Sequence, residues 1–144
     1  MLSRTIFLSR LIGLYSILGS LALLIHQQAA LAMVNELIRN APMLFLLAVI
    51  TAGAGLALVL GHNIWSGGAL PVVVTIVGWI TLLKGLLFLF LSPEGVVDLL
   101  VSLRYEQLYG AYTAISVLLG VYLTYAGFAV HPDFEHPSLK HALR

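Results

Sequence analysis

Four long stretches of this chain carry almost no charge, and that limits its fold more than any other feature. They run over about Ile6–Ile25, Met43–Gly61, Leu70–Leu91 and Leu108–Val130. An apolar run of roughly 20 residues is long enough to cross the hydrocarbon core of a bilayer as a helix. In lipid the backbone must satisfy its own hydrogen bonds, and a helix does so within one segment. The expectation is an all-α integral membrane protein with four transmembrane helices. Of 144 residues, 60% are hydrophobic and 9% charged, and the mean hydropathy is +1.03. A soluble domain carries about 25% charged residues. This chain lacks the polar surface to cover a globule in water, so its expected solvent is the lipid bilayer.

The segments between the runs alternate in character. His26–Asn40 places Leu31, Val34, Leu37 and Ile38 on one side of a helix, and Gln28, Asn35, Glu36 and Arg39 on the other. It is too short and too polar to span, and it reads as an amphipathic helix lying in the interface. Asn40 and Pro42 are start signals for the second span. Ser92, Pro93 and Glu94 form a second such signal, opening an amphipathic helix over Glu94–Gln107. There Glu94, Asp98, Ser102 and Glu106 face away from Val97, Leu100, Val101 and Leu108. The loop Gly61–Leu70 is short and uncharged, and His62, Asn63 and Trp65 suit an interfacial polar cap with an aromatic anchor. Tyr109, Tyr112, Tyr122 and Tyr125 stand near the two ends of the last span, in the manner of aromatic belts. Arg4 and Arg10 precede the first run, and Ala30-Leu31-Ala32 has the small-residue form of a cleavage site. Because the first run resembles the third, it reads as a permanent helix rather than a leader.

The chain matches itself at an offset of 65 residues. Gly13 falls on Gly78, Ser16 on Thr81, Ser20 on Gly85, Arg39 on Arg104 and Gly55 on Gly120. Leucine matches are uninformative in so apolar a chain; glycine, hydroxyl and arginine matches at one constant offset are not. Each half, about 1–65 and 66–130, is then a span, an interfacial helix and a second span. Two spans return the chain to its starting side, so the halves form a parallel internal two-fold repeat about an axis along the membrane normal. The expected body is a single four-helix domain over 1–130, followed by a polar tail, 131–144. The small residues Gly13, Ser16 and Ser20, with Gly78, Thr81 and Gly85, form stripes for close helix packing, expected to make the central seam of the bundle. With the N-terminus in the cytoplasm, that side holds Arg4, Arg10, Lys140 and Arg144 against Arg39 and Arg104 on the other. The bias favours both termini inside.

Lys84 lies within the third run and is the sharpest candidate for chemistry. A cation inside a span is costly and is by default a candidate functional position. One reading makes it a fixed charge that holds an anionic group: a lipid headgroup, a carboxylate substrate or a partner's carboxylate. The other is structural. Lys84 stands seven residues before Leu91, a rise of about 10 Å, so its side chain can snorkel outward to Glu94, Asp98 or Glu36. The matching position in the first half is Gly19, so the charge belongs to one half alone.

Other chemistry is excluded or disfavoured. The chain has no cysteine, which removes thiolate catalysis, iron–sulfur clusters and thiolate-bound zinc. His26 and His62 end successive spans and fall on opposite faces, so they cannot share a haem or metal. His131, His136 and His141 are spaced by five and do not share a helix face. No metal and no cofactor are expected. There is no nucleophile elbow, phosphate-binding glycine loop or zincin motif, so the chain does not read as an enzyme. Its basic residues form no patch for nucleic acid.

The strings Gly61-His62-Asn63-Ile64-Trp65 and Thr75-Ile76-Val77-Gly78-Trp79, continuing to Leu83-Lys84-Gly85, resemble a pattern that recurs in a family of small four-span bacterial inner-membrane proteins. The resemblance covers about the middle third of the chain. It implies a bacterial inner membrane and four helices, and it carries over neither an activity nor a site residue. Three functional readings follow from the residues. The first is an accessory or binding subunit that docks on a larger membrane complex, or on another copy of itself, or binds lipid or another anionic ligand. The second is an oligomeric transporter or channel for a small solute or ion, using Lys84. The third is a redox or quinone-linked membrane subunit.

Overall fold

The computed structural model describes residues 2–129, and these form six helices in the order α1 (Leu2–Ile25), α2 (Gln27–Arg39), α3 (Ala41–Gly61), α4 (Ala69–Phe90), α5 (Pro93–Ser102) and α6 (Tyr105–Ala129). The features assigned to Val130 and to the tail, including His131, His136, His141, Lys140 and Arg144, lie outside the described residues. α1, α3, α4 and α6 are long and apolar enough to cross a membrane. Only 17% to 28% of their apolar windows is buried within the chain. Phe7, Tyr15, Leu60 and Phe90 are each more than 60% exposed. Most of the apolar surface therefore faces outward and needs a cover other than water.

The caps follow from local chemistry. Asn40 Oδ1 accepts from the Met43 amide at 3.2 Å, and Ser92 Oγ accepts from the Gly95 amide at 3.2 Å. Each satisfies one of the free amides that open a helix. Between α1 and α2 the helical backbone is interrupted only at His26, at φ −114° and ψ 39°. The second amphipathic segment is shorter than the periodicity suggests. α5 stops at Ser102, and Arg104 takes a left-handed backbone with φ 48°. The Arg104 amide closes back on the Val101 carbonyl at 2.9 Å. Glu106 and Gln107, expected on the amphipathic helix, stand in the first turn of α6 instead.

Packing is dominated by two antiparallel pairs, α1 with α6 and α3 with α4, while α1 and α4 touch only slightly. Glycine sets these pairs. A Cβ on Gly55 would overlap the backbone of Thr81 and Leu82, and one on Gly85 would overlap the backbone of Thr51 and Ala52. In the other pair, Gly13 lies against Thr124 and Gly120, and Gly120 against Ile17. The small-residue stripes of the first and third spans thus line two lateral seams, each against a different helix, and not one central seam. The physical reason is that a stripe marks a face where backbones can approach, whatever helix arrives there. Ser20 is buried as well, and Ser16 and Thr81 are half-buried, with the Thr81 hydroxyl bonded to the Val77 carbonyl at 2.7 Å.

α2 and α5 pack together across one end of the four long helices. Ile38, Leu44 and Val96 are buried there, with Val34, Leu37, Phe88 and Leu100 around them. This small core joins α2, α3, α4 and α5. The opposite end holds the α3–α4 loop, residues 62–68, in which Gly67 and Gly68 have φ of 91° and 112°. That backbone suits glycine alone without strain.

Candidate functional site

Three groupings of polar side chains stand out, two at opposite ends of the molecule and one on the flank of α4. At the loop end, Thr75 is fully buried. Its Oγ1 accepts from the Ile64 amide at 3.0 Å, and its single proton faces the carbonyls of Pro71 at 2.9 Å and Ile64 at 3.0 Å. His62 is also buried, and its Nε2 lies 3.3 Å from the Pro71 carbonyl. A carbonyl only accepts, so the proton of that ring sits on Nε2. Asn63 Oδ1 accepts from Trp65 Nε1 at 2.7 Å and from Trp79 Nε1 at 3.4 Å. One amide oxygen thereby ties two indoles, and Trp65 remains 59% exposed. The Thr75 hydroxyl, His62 Nε2, Asn63 Oδ1 and both indole N–H groups are engaged with the chain itself, as befits a structural cap on the α3–α4 turn.

The second grouping is Lys84 and its surroundings. Lys84 follows the seam face of α4, one residue before buried Gly85, and its side chain is exposed on the flank of the helix. Its Nζ stands 5.5 Å from the centroid of the Phe88 ring, which in turn leans on the small core. A cation over an aromatic face gains about 0.5–1 kcal/mol at an exposed site. Among the described residues Lys84 has no ion-pair partner. Glu94 and Asp98 instead border a shallow groove with Arg39, Ile38 and Ala41, and neither Lys84 nor Glu36 lines it. Glu36 is exposed on α2.

The third grouping was not singled out by sequence pattern. Between α2, α5 and the start of α6 lies a half-open cleft of about 180 Å³. Its wall is apolar, with Leu31, Val34 and Ile38 from α2 and Val97, Leu100 and Val101 from α5. Its rim is polar, with Asn35, Arg104, Glu106 and Gln107. Asn35 Nδ2 donates to Glu106 Oε1 at 3.2 Å and links α2 to α6. Tyr105 also lines the cleft, stacks on Tyr112 with centroids 6.0 Å apart, and meets Tyr109 edge-on at 5.8 Å. Tyr109 is buried and its hydroxyl donates to the Leu23 carbonyl at 3.1 Å, anchoring α1 where that helix ends. The signal in the sequence was the Arg104–Glu106 pair at the junction of two helices. A continuous helical reading through Gln107 spread these residues around a cylinder and hid their convergence.

His62 lies at the loop end and His26 at the α2–α5 end. Among the described residues no three His, Asp or Glu side chains gather as a metal site. Comparison of the chain with protein-family models, with curated proteins and with solved structures finds no match.

Proposed function

We propose that this chain is a multi-pass protein of the bacterial inner membrane, with both termini in the cytoplasm, that serves as an accessory subunit of a larger membrane complex. Four helices of spanning length with mostly uncovered apolar surface support the membrane placement. The 65-residue repeat is part of this reading, and the contacts favour it. Gly55 meets Leu82 across the α3–α4 seam, and Gly120 meets Ile17 across the α1–α6 seam. Each pair becomes the other by the same offset with the halves exchanged, as a two-fold axis between α1 and α4 requires.

One observation carries the functional part. Lys84 stands six residues inside the end of α4, its side chain is exposed, and among the described residues it meets an aromatic ring rather than a carboxylate, whereas Arg10, at a similar depth in α1, is held by the Gly127 carbonyl. A charge kept at that depth is stabilised by an anionic partner, here a carboxylate on a neighbouring membrane protein. Of the other polar side chains of α4, Thr75 and Trp79 are bonded in the loop cap and Thr81 is bonded to the Val77 carbonyl. The test compares Lys84→Met with Lys84→Arg by native mass spectrometry from mild detergent. Loss of a co-purifying membrane subunit with Met and its retention with Arg, at unchanged thermal stability, is expected. Equal recovery with both variants would remove the docking role of Lys84.

A further inference from the structure

We infer that the cleft between α2, α5 and α6 is a binding site for one zwitterionic phospholipid of the surrounding membrane, with Arg104 on its phosphate and Glu106 on its ammonium group. The inference rests on the membrane placement proposed above, but not on the docking role of Lys84.

The ligand class follows from the lining. At about 180 Å³ the cleft is smaller than the roughly 300 Å³ at which small-molecule pockets begin. It is also half-open, so it takes one part of a larger ligand whose remainder stays outside. The wall is continuous aliphatic surface, and Val101 on its outer side is 70% exposed. That surface suits an acyl chain. The rim lies at the ends of the long helices, where the headgroups of a bilayer spanned by them would stand. It carries one guanidinium and one carboxylate, two positions apart, on exposed side chains.

The rim charges select among headgroups. A guanidinium pairs with phosphate through two parallel N–H donors. Glu106 Oε1 accepts from Asn35, which leaves Oε2 for a second donor. A headgroup bearing both phosphate and ammonium satisfies both charges. One bearing phosphate and hydroxyls leaves Glu106 facing a net anion. The backbone of Arg104 adds to the argument. At φ 48° a non-glycine residue is strained, yet this conformation turns the chain sharply between α5 and α6 and sets Arg104 and Glu106 on the same rim.

Native mass spectrometry of the full chain in mild detergent, titrated with phosphatidylethanolamine or phosphatidylglycerol, tests the assignment. The wild type should retain phosphatidylethanolamine several-fold better. Glu106→Gln, which still accepts from Asn35, should bring the ratio of the two lipids to near one. Arg104→Gly relieves the strained backbone and should fold, while weakening retention of both lipids about tenfold, the expected loss of a charge-assisted hydrogen bond. Lys84→Met should change neither. Equal retention of both lipids by the wild type, or a preference that survives Glu106→Gln, overturns the inference. Membrane flotation separates the two readings. A chain that floats with vesicles but shows no headgroup preference loses the lipid site alone, whereas a chain that does not float loses the membrane placement and the site together.

Discussion

Arg10 and Gly127 are 117 positions apart in the chain, and Arg10 Nε donates to the Gly127 carbonyl at 2.9 Å. The same guanidinium lies 4.3 Å from the centroid of the Phe128 ring. Under the 65-residue offset, Arg10 corresponds to Thr75 and Gly127 to His62. Thr75 Oγ1 stands 3.5 Å from the His62 carbonyl. A long cation fastens α1 to α6, whereas the single proton of Thr75 is taken by the nearer Pro71 and Ile64 carbonyls, and Thr75 fastens the loop to α4. The first reaches across an open end, and the second works inside a closed loop.

Removing the Arg10 contact should loosen the α1–α6 pair at that end. Arg10→Met keeps much of the aliphatic stem and loses both the hydrogen bond and the ring contact. A loss of about 1–2 kcal/mol is expected. Hydrogen exchange read by mass spectrometry should quicken in the peptides around Thr5–Ser9 and Thr124–Phe128, and not in the α3–α4 loop. Uniform exchange across both ends would count against a local fastening.

Gly55 and Gly53 separate close packing from helix propensity. Gly55→Ala forces a Cβ into the backbone of Leu82 and should destabilise by about 1–3 kcal/mol through overpacking. Gly53 has nothing within 4 Å of such a Cβ. Gly53→Ala should leave stability unchanged or slightly raised, since alanine is the better helix former. Thermal unfolding in detergent, followed by circular dichroism, gives the comparison. Similar losses at both positions would mean that the α3–α4 seam is not tight.

Thr75→Val is close to isosteric and exchanges the hydroxyl for a methyl group. The Ile64 amide then loses its acceptor, at a cost of about 1–3 kcal/mol. Thr75→Ser should restore most of it. Trp65 and Trp79, both tied to Asn63, report on the loop. Their emission should become more accessible to a soluble quencher in the Val variant and not in the Ser variant.

Lys84→Leu tests whether the cation holds the fold. With Phe88 as its contact, its loss should cost no more than about 1 kcal/mol. The isolated variant should therefore melt within a few degrees of the wild type. A collapse of the fold would show that Lys84 is fastened within the chain and is not free for a partner.

The helices were legible because their causes are local. A run of about twenty residues without charge, an Asn or Ser with Pro close behind it, and a split between apolar and polar sides each act within one segment. The end of α5 was not legible, because Arg104 adopts a backbone that usually announces itself with glycine or asparagine. Partner choice was not legible either. Gly13 and Gly78 mark faces for close approach, but nothing local to α1 says that its neighbour is α6. The role of Thr75 was hidden because it sits inside an apolar run, and only the fold returns the loop carbonyls to its hydroxyl. The cleft required the same knowledge, since Asn35 and Glu106 meet only when α2 and α6 are placed.

The two helix pairs differ in when they can exist. α3 and α4 are neighbours in the chain, joined by residues 62–68, and can close on each other soon after both leave the ribosome. Among the described helices α1 is made before the others, and its main partner α6 is made after them. During synthesis the first helix therefore waits with the Gly13 face uncovered until Gly120 and Thr124 arrive. Truncation before α6 should leave a nascent chain that holds its middle hairpin and exposes its first helix to chaperones and proteases. Among the described helices, enclosure runs from the middle hairpin outward, and α1, the earliest of them, is enclosed last.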